Sequence, residues 1–120
     1  MTLAKIAELL DAQVHCGQES LNRDVHSGCG CDMMSDVLAY VKDQAVMLTG
    51  LVNPQVIRTA EMMDIVCIVF VRGKKPTDAM IELANERSLT LLSTNHRMFS
   101  ACGLLYEHGL SDGGQIECNR

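Results

Sequence analysis

Six cysteines and four histidines are the groups in this 120-residue chain best suited to soft-metal or redox chemistry. In His26-Ser-Gly-Cys-Gly-Cys31, Cys29 and Cys31 stand two positions apart, so in extended backbone both thiols face the same way. Thiolates on one face, with His26 near and His96 and Cys102 as further ligands, would suit zinc or an iron–sulfur cluster. The competing reading is a set of small buried hydrophobes, because neither paired Cys-x-x-Cys motifs nor a dense four-cysteine run is present. Cys67 lies inside an apolar run and reads as core, and Cys118 falls in a polar tail.

A second chemistry is anion binding. Four of the ten basic residues, Arg72, Lys74, Lys75 and Arg97, follow apolar runs, with His96 beside them. They share those segments with Thr49-Gly50, Ser93-Thr94 and Gly73, small residues that let a ligand approach the backbone. Where such runs are strands leading into helices, unpaired helix N–H groups add partial positive charge. The candidate ligand contacts are therefore Thr49, Gly50, Arg72, Lys74, Ser93, Thr94 and His96. The plainer alternative makes Gly73-Lys-Lys a solvated turn and Thr49-Gly50 a tight strand exit.

Catalytic signatures are missing. Gly28-x-Gly30 lacks the third glycine of a dinucleotide fingerprint, Met33 standing in its place. There is no phosphate loop, no Gly-x-Ser-x-Gly elbow and no His-Glu-x-x-His. A nucleophilic Cys29 or Cys102 has no base visibly paired with it. Asp32 and Asp36 could share a helix face and a cation, but capping and surface roles explain them more simply. The eight methionines read as core filler, with a self-association surface as the alternative.

These residues need a scaffold. Thr2 caps a helix with Leu3, Ile6, Ala7 and Leu10 on one face, and an extended piece over 13–16 precedes Gly17. A weak alternation predicts a strand over 24–28, and Asp32 or Ser35 caps a helix bearing Val37, Leu38 and Val41. Residues 45–49 read as a buried strand bounded by Gly50, and Asn53-Pro54 starts a helix with Val56, Ile57, Ala60 and Met63. Asp64 breaks that helix into the β-branched run 65–71, a strand covered on both faces. Thr77 caps a helix with Met80, Ile81 and Ala84, 89–93 is the last strand, and Asn95 caps a helix running to about Glu107. Strands alternating with helices predict a single α/β domain, three-layer α/β/α with a mostly parallel sheet, over 1–110, followed by a mobile tail over 111–120. In such sheets ligands bind beyond the carboxyl ends of the strands, where the anion candidates fall.

Composition narrows the function classes. The net charge is −5, Trp is absent, and Tyr40, Phe70, Phe99 and Tyr106 are the only aromatic residues, which argues against nucleic acid as a partner. The longest apolar run, Ile65 to Val71, is seven residues, against roughly 20 for a membrane span. Lys5 and Glu8 interrupt the first apolar stretch, so it does not read as a signal peptide. Six cysteines without an export signal imply a reducing, cytoplasmic compartment and no structural disulfides.

The ordered segments Leu48-Thr-Gly-Leu51, Arg72-Gly-Lys-Lys-Pro76 and Leu91-Leu-Ser-Thr-Asn-His-Arg-Met-Phe99 resemble the DRTGG domain. The resemblance covers roughly 44–107, with fainter agreement through the helix at 2–11. The eponymous Asp-Arg-Thr-Gly-Gly string is absent: only Thr49-Gly50 matches it, with Leu51 in place of the second glycine. The resemblance implies an α/β regulatory module and no enzyme. Such domains stand beside CBS domains in a pyrophosphatase, occur in phosphate acetyltransferases, resemble the N-terminal domain of HPr kinase, and pair as homodimers. The chain is similar to stand-alone members in anaerobic bacteria, some encoded near iron–sulfur hydrogenase and sensor-kinase components. The expectation is a dimeric sensory module binding a small anion, a nucleotide such as AMP, with a redox enzyme or signalling protein as further partner. The alternative is a metal or iron–sulfur accessory protein, linked to hydrogenase systems, that uses Cys29, Cys31 and Cys102.

Overall fold

The run beginning at Ile65 forms the middle of the sheet. Strand β4, Ile65–Phe70, is buried throughout, as expected of a strand covered on both faces. Its side chains divide between two cores. Ile65, Ile68 and Phe70 face one, while Val66, Cys67, Val69 and the following Val71 face the other. Val66 and Cys67 share a face because the ladder to β3 skips a residue there.

The computed structural model describes residues 1–33 and 44–111. Chain order is α1 (Leu3–Leu10), β1 (Gln13–Cys16), a 3₁₀ turn at Gln18–Ser20, β2 (Ser27–Gly30), β3 (Ala45–Thr49), α2 (Pro54–Met62), β4, α3 (Asp78–Glu86), β5 (Thr90–Ser93) and α4 (Met98–Glu107). The five strands lie in the order β1-β5-β4-β3-β2. Neighbours from β2 to β5 pair in parallel, and β1 runs antiparallel along β5.

Strands β3 to β5 step in one direction across the sheet, so right-handed crossovers carry α2 and α3 to the same face. There Val56, Ile57 and Ala60 of α2 and Met80 and Ala84 of α3 pack with Met47, Ile68, Phe70 and Leu91. On the other face Leu3, Ile6 and Leu10 of α1 and Ala101 and Leu105 of α4 pack with Val46, Leu48, Val69 and Leu92. The result is the expected three-layer α/β/α arrangement with a mostly parallel sheet.

Local signals explain most boundaries. The Thr2, Asn53 and Thr77 side chains accept from Lys5, Gln55 and Met80 backbone N–H groups, capping α1, α2 and α3. Three helix-to-strand corners are closed by non-glycine residues in the left-handed region: Asp11 (φ 50°), Asp64 (φ 59°) and Ser88 (φ 58°). No helix among the described residues is long and apolar enough to cross a membrane.

Some expectations need correction. Strand β2 occupies 27–30, not 24–28, because Asp24 makes only an isolated bridge to Thr2 and Val25 donates to the Met1 carbonyl. Asn95 does not cap α4: Arg97 holds the cap position without a side-chain bond. The reason is that 94–96 is tied to the turn after β4, through Arg72 N–H to the His96 carbonyl and Gly73 N–H to the Thr94 carbonyl. The helix starts once the chain leaves that pairing. The helix expected at Val37, Leu38 and Val41, the tail beyond Ser111, Asp36 and Cys118 lie outside the described residues.

Candidate functional site

The exits of β2, β3 and β4 meet at one point of the sheet's carboxyl edge. Past β2, Cys31 N–H still donates to the Leu48 carbonyl (3.0 Å), extending the ladder and setting Asp32 over the end of β3. There Asp32 Oδ1 accepts from the Thr49 hydroxyl (3.0 Å) and the Gly50 amide (2.7 Å). Leu51 N–H donates to Thr49 Oγ1 (3.1 Å), closing the turn around a fully buried threonine.

Arg72 arrives from β4. The Val71-Arg-Gly-Lys74 turn is closed by Lys74 N–H to the Val71 carbonyl (3.1 Å), and both central residues have positive φ, 62° at Arg72 and 73° at Gly73. Both signs match a I′ turn. It reverses the chain tightly and lays the guanidinium over Gly50, where a Cβ would collide with Nη2 and stand 3.0 Å from Cζ. Nη2 is 4.0 Å from Asp32 Oδ2, with the Arg72 and Asp32 side chains 49% and 53% exposed. At that distance and exposure the pair is a weak restraint.

The exit of β5 is built differently. Ser93, 4% exposed, shares a 2.8 Å hydrogen bond with His15 Nε2 across the β1–β5 ladder. Burial, then the nearby Lys75 charge, lowers the His15 pKa. This hydroxyl and base meet, yet Ser93 is too enclosed to attack a substrate. Thr94 Oγ1 donates to the Leu10 carbonyl (2.6 Å) and accepts from His96 N–H (3.2 Å), fastening the strand end to α1. His96 lines a depression of about 280 Å³ with Leu10, Asp11, Thr94 and Asn95. Lys74 is exposed on the β4 turn, and Lys75 Nζ donates to Gln13 Oε1 (3.0 Å).

Of the candidate contacts, Thr49, Gly50 and Arg72 converge, and His96 adjoins them through its carbonyl on Arg72. The Ser93 and Thr94 hydroxyls are engaged inside the fold. Asp32, which the sequence sets past β2 at this edge but which is not among the candidate contacts, joins the group. Its signal was position, the first acidic residue past β2 on this edge, and its capacity to cap a helix masked it.

The thiols divide between the two faces. Cys29 and Cys31 pack against the core beneath α2 and α3, and Cys102 against the core beneath α1 and α4. Cys102 Sγ lies under Gly30, 2.6 Å from where a Cβ would stand. Burial, with smaller contributions from Cys31 and Cys102, pushes the Cys29 thiol up to about 12, and burial also raises Cys67 and Cys102. Without a metal these thiols are therefore held in the protonated form, which also makes them weak nucleophiles. Cys31 Sγ donates to the Met33 carbonyl (3.1 Å) and accepts from Met33 N–H (3.2 Å). Among the described residues no three His, Cys, Asp or Glu side chains are grouped to hold a metal ion.

Comparison with known proteins fits this architecture. The structure is similar to the CBS and DRTGG domains of the regulatory region of Clostridium perfringens pyrophosphatase, solved with its activator diadenosine tetraphosphate. The TM-score is 0.72 at 15% sequence identity, covering 96% of this chain and 52% of that one, so this chain spans about half the length of its structural neighbour. At that identity the likeness is one of fold. No curated protein matches the sequence. The sequence pattern of the DRTGG domain matches residues 5–107, and on that match the chain belongs to the DRTGG domain family.

Proposed function

We propose that this chain is a non-catalytic regulatory module that binds a small anionic ligand, a nucleotide such as AMP, at the carboxyl edge of its sheet and works as a homodimer. DRTGG domains are regulatory, and the structural neighbour was solved with a nucleotide activator. The observation that carries the reading is the convergence of the buried Thr49 hydroxyl, the buried Gly50 amide and the half-exposed Arg72 guanidinium at one point of the sheet's edge, where the half-exposed Asp32 carboxylate covers the first two. A hydroxyl, an amide and a fork of guanidinium donors are what a phosphate group needs, and charge-assisted bonds of this kind are the strong ones.

Calorimetric titration with AMP and with inorganic pyrophosphate tests the reading. Arg72→Ala keeps an L residue in the left-handed turn and removes the guanidinium donors together with their weak pairing to Asp32. We expect it to weaken binding at least about tenfold, the worth of one charge-assisted contact, with the melting temperature little changed. Equal affinity in wild type and variant, or no binding of either anion, would sink it.

A further inference from the structure

The anion seat at the end of β3 is filled by a residue of the chain itself. The Thr49 hydroxyl has one proton and the Gly50 amide has one, and both go to Asp32 Oδ1, at 3.0 and 2.7 Å. The second oxygen, Oδ2, faces the Arg72 guanidinium at 4.0 Å. Hydroxyl, amide and guanidinium around a carboxylate is the arrangement that would hold a phosphate-type oxyanion, since arginine recognises both groups by the same fork. With their single protons committed, Thr49 and Gly50 have nothing left to offer a ligand while Asp32 stays.

We infer that Asp32 is an intramolecular competitor: its carboxylate occupies the seat of a phosphate-type oxyanion, and such a ligand binds by displacing it. This rests on the proposal that the edge binds an anion. Arg72 is half exposed with five donors, so it can meet the incoming anion first. Asp32 can then leave by side-chain rotation, because the backbone bond that places it, Cys31 N–H to the Leu48 carbonyl, involves no atom of Asp32. The displaced carboxylate is half exposed already and meets water at little cost. The module therefore answers only to a ligand that outcompetes its own carboxylate, and the apparent dissociation constant rises in inverse proportion to the fraction of molecules whose seat is open.

The test is titration of the full chain and its variants with AMP and inorganic pyrophosphate, with thermal unfolding as the check on folding. Asp32→Ala empties the seat and is expected to bind both at least about tenfold more tightly than wild type. Asp32→Asn, which keeps the shape and loses the charge, should gain in the same direction and serves if the alanine variant does not fold. Asp11→Asn removes an equal charge from the neighbouring depression and should shift affinity less than about twofold, separating occupancy of the seat from net charge. Tighter binding by Asp32→Ala that vanishes when Arg72→Ala is added supports the proposal. If Asp32→Ala binds no better than wild type while Arg72→Ala still weakens binding, the site stands and the competitor is overturned. An equal gain from Asp11→Asn overturns it too. If neither wild type nor Asp32→Ala binds either anion, both readings fall.

Discussion

Gly50 and Arg72 form a pair in which the absence of one side chain makes room for the other. A methyl at Gly50 would collide with the Arg72 guanidinium, which is the far end of a flexible side chain. The fold can yield there and the site cannot. Gly50→Ala is therefore expected to melt within about 4 °C of wild type while binding AMP more weakly, and to add nothing when combined with Arg72→Ala. Wild-type affinity in Gly50→Ala would show that the guanidinium's resting place does not matter. Thr49, Gly50 and Arg72 could be picked from the sequence because each stands at or just past the carboxyl end of a strand, where topology alone sets its position. Ser93 and Thr94 stand at the end of a strand too, yet their hydroxyls turn to His15 and Leu10, 78 and 84 residues away in the chain. Nothing local encodes those partners. Asp32 was hidden for a related reason: a cap and a strand-exit carboxylate look alike until the β2–β3 register is known.

Among the elements, β1 is the one whose placement local pattern did not reveal. An extended stretch after a helix is legible, but its antiparallel pairing with the last strand joins residues nearly eighty apart. By contrast β3, β4, α2 and α3 follow from apolar runs and caps within a few residues, so their boundaries could be read closely. The β1–β5 ladder slips between Val14 and Cys16, and the bulged His15 reaches Ser93. Burial and Lys75 disfavour its protonated form, so the unfolded chain takes the proton more readily. The stability His15 contributes is then complete above its ordinary value of 6.5 and is lost as the pH falls below it. Urea midpoints measured by circular dichroism should drop between about pH 7.5 and 5.5, and drop less in His15→Gln, whose amide can still reach Ser93. Identical pH slopes would remove His15 as the cause.

At the scale of the molecule, one exposed apolar face among the described residues is the outer side of α4. Phe99 is 92% exposed and Tyr106 is 70% exposed, one near each end of the helix, with Gly103 between them facing open space. An antiparallel copy of α4 across a two-fold axis would set Phe99 against its partner's Tyr106 and bring the exposed Arg97 and Glu107 of opposite copies together. This is the surface we assign to the proposed dimer. Sedimentation equilibrium should find a dimer for wild type and a monomer for Phe99→Glu with Tyr106→Glu, both folded. A monomer throughout, or a dimer that ignores the double substitution, would reject that surface.

The left-handed corners at Asp11, Asp64 and Ser88 have a consequence for how the chain can change. Glycine would adopt these conformations without the penalty an L residue carries, so each corner holds on the order of 1 kcal/mol that the present sequence leaves untaken. Asp64 and Ser88 lead into the amino ends of β4 and β5, away from the edge where Asp32 and Arg72 meet. Substitutions that retune that edge and weaken the fold could thus be offset by single changes at distant corners. At Asp64 and Ser88 the scaffold has evolutionary slack that lies apart from the binding edge, whereas Asp11 borders the depression beside it.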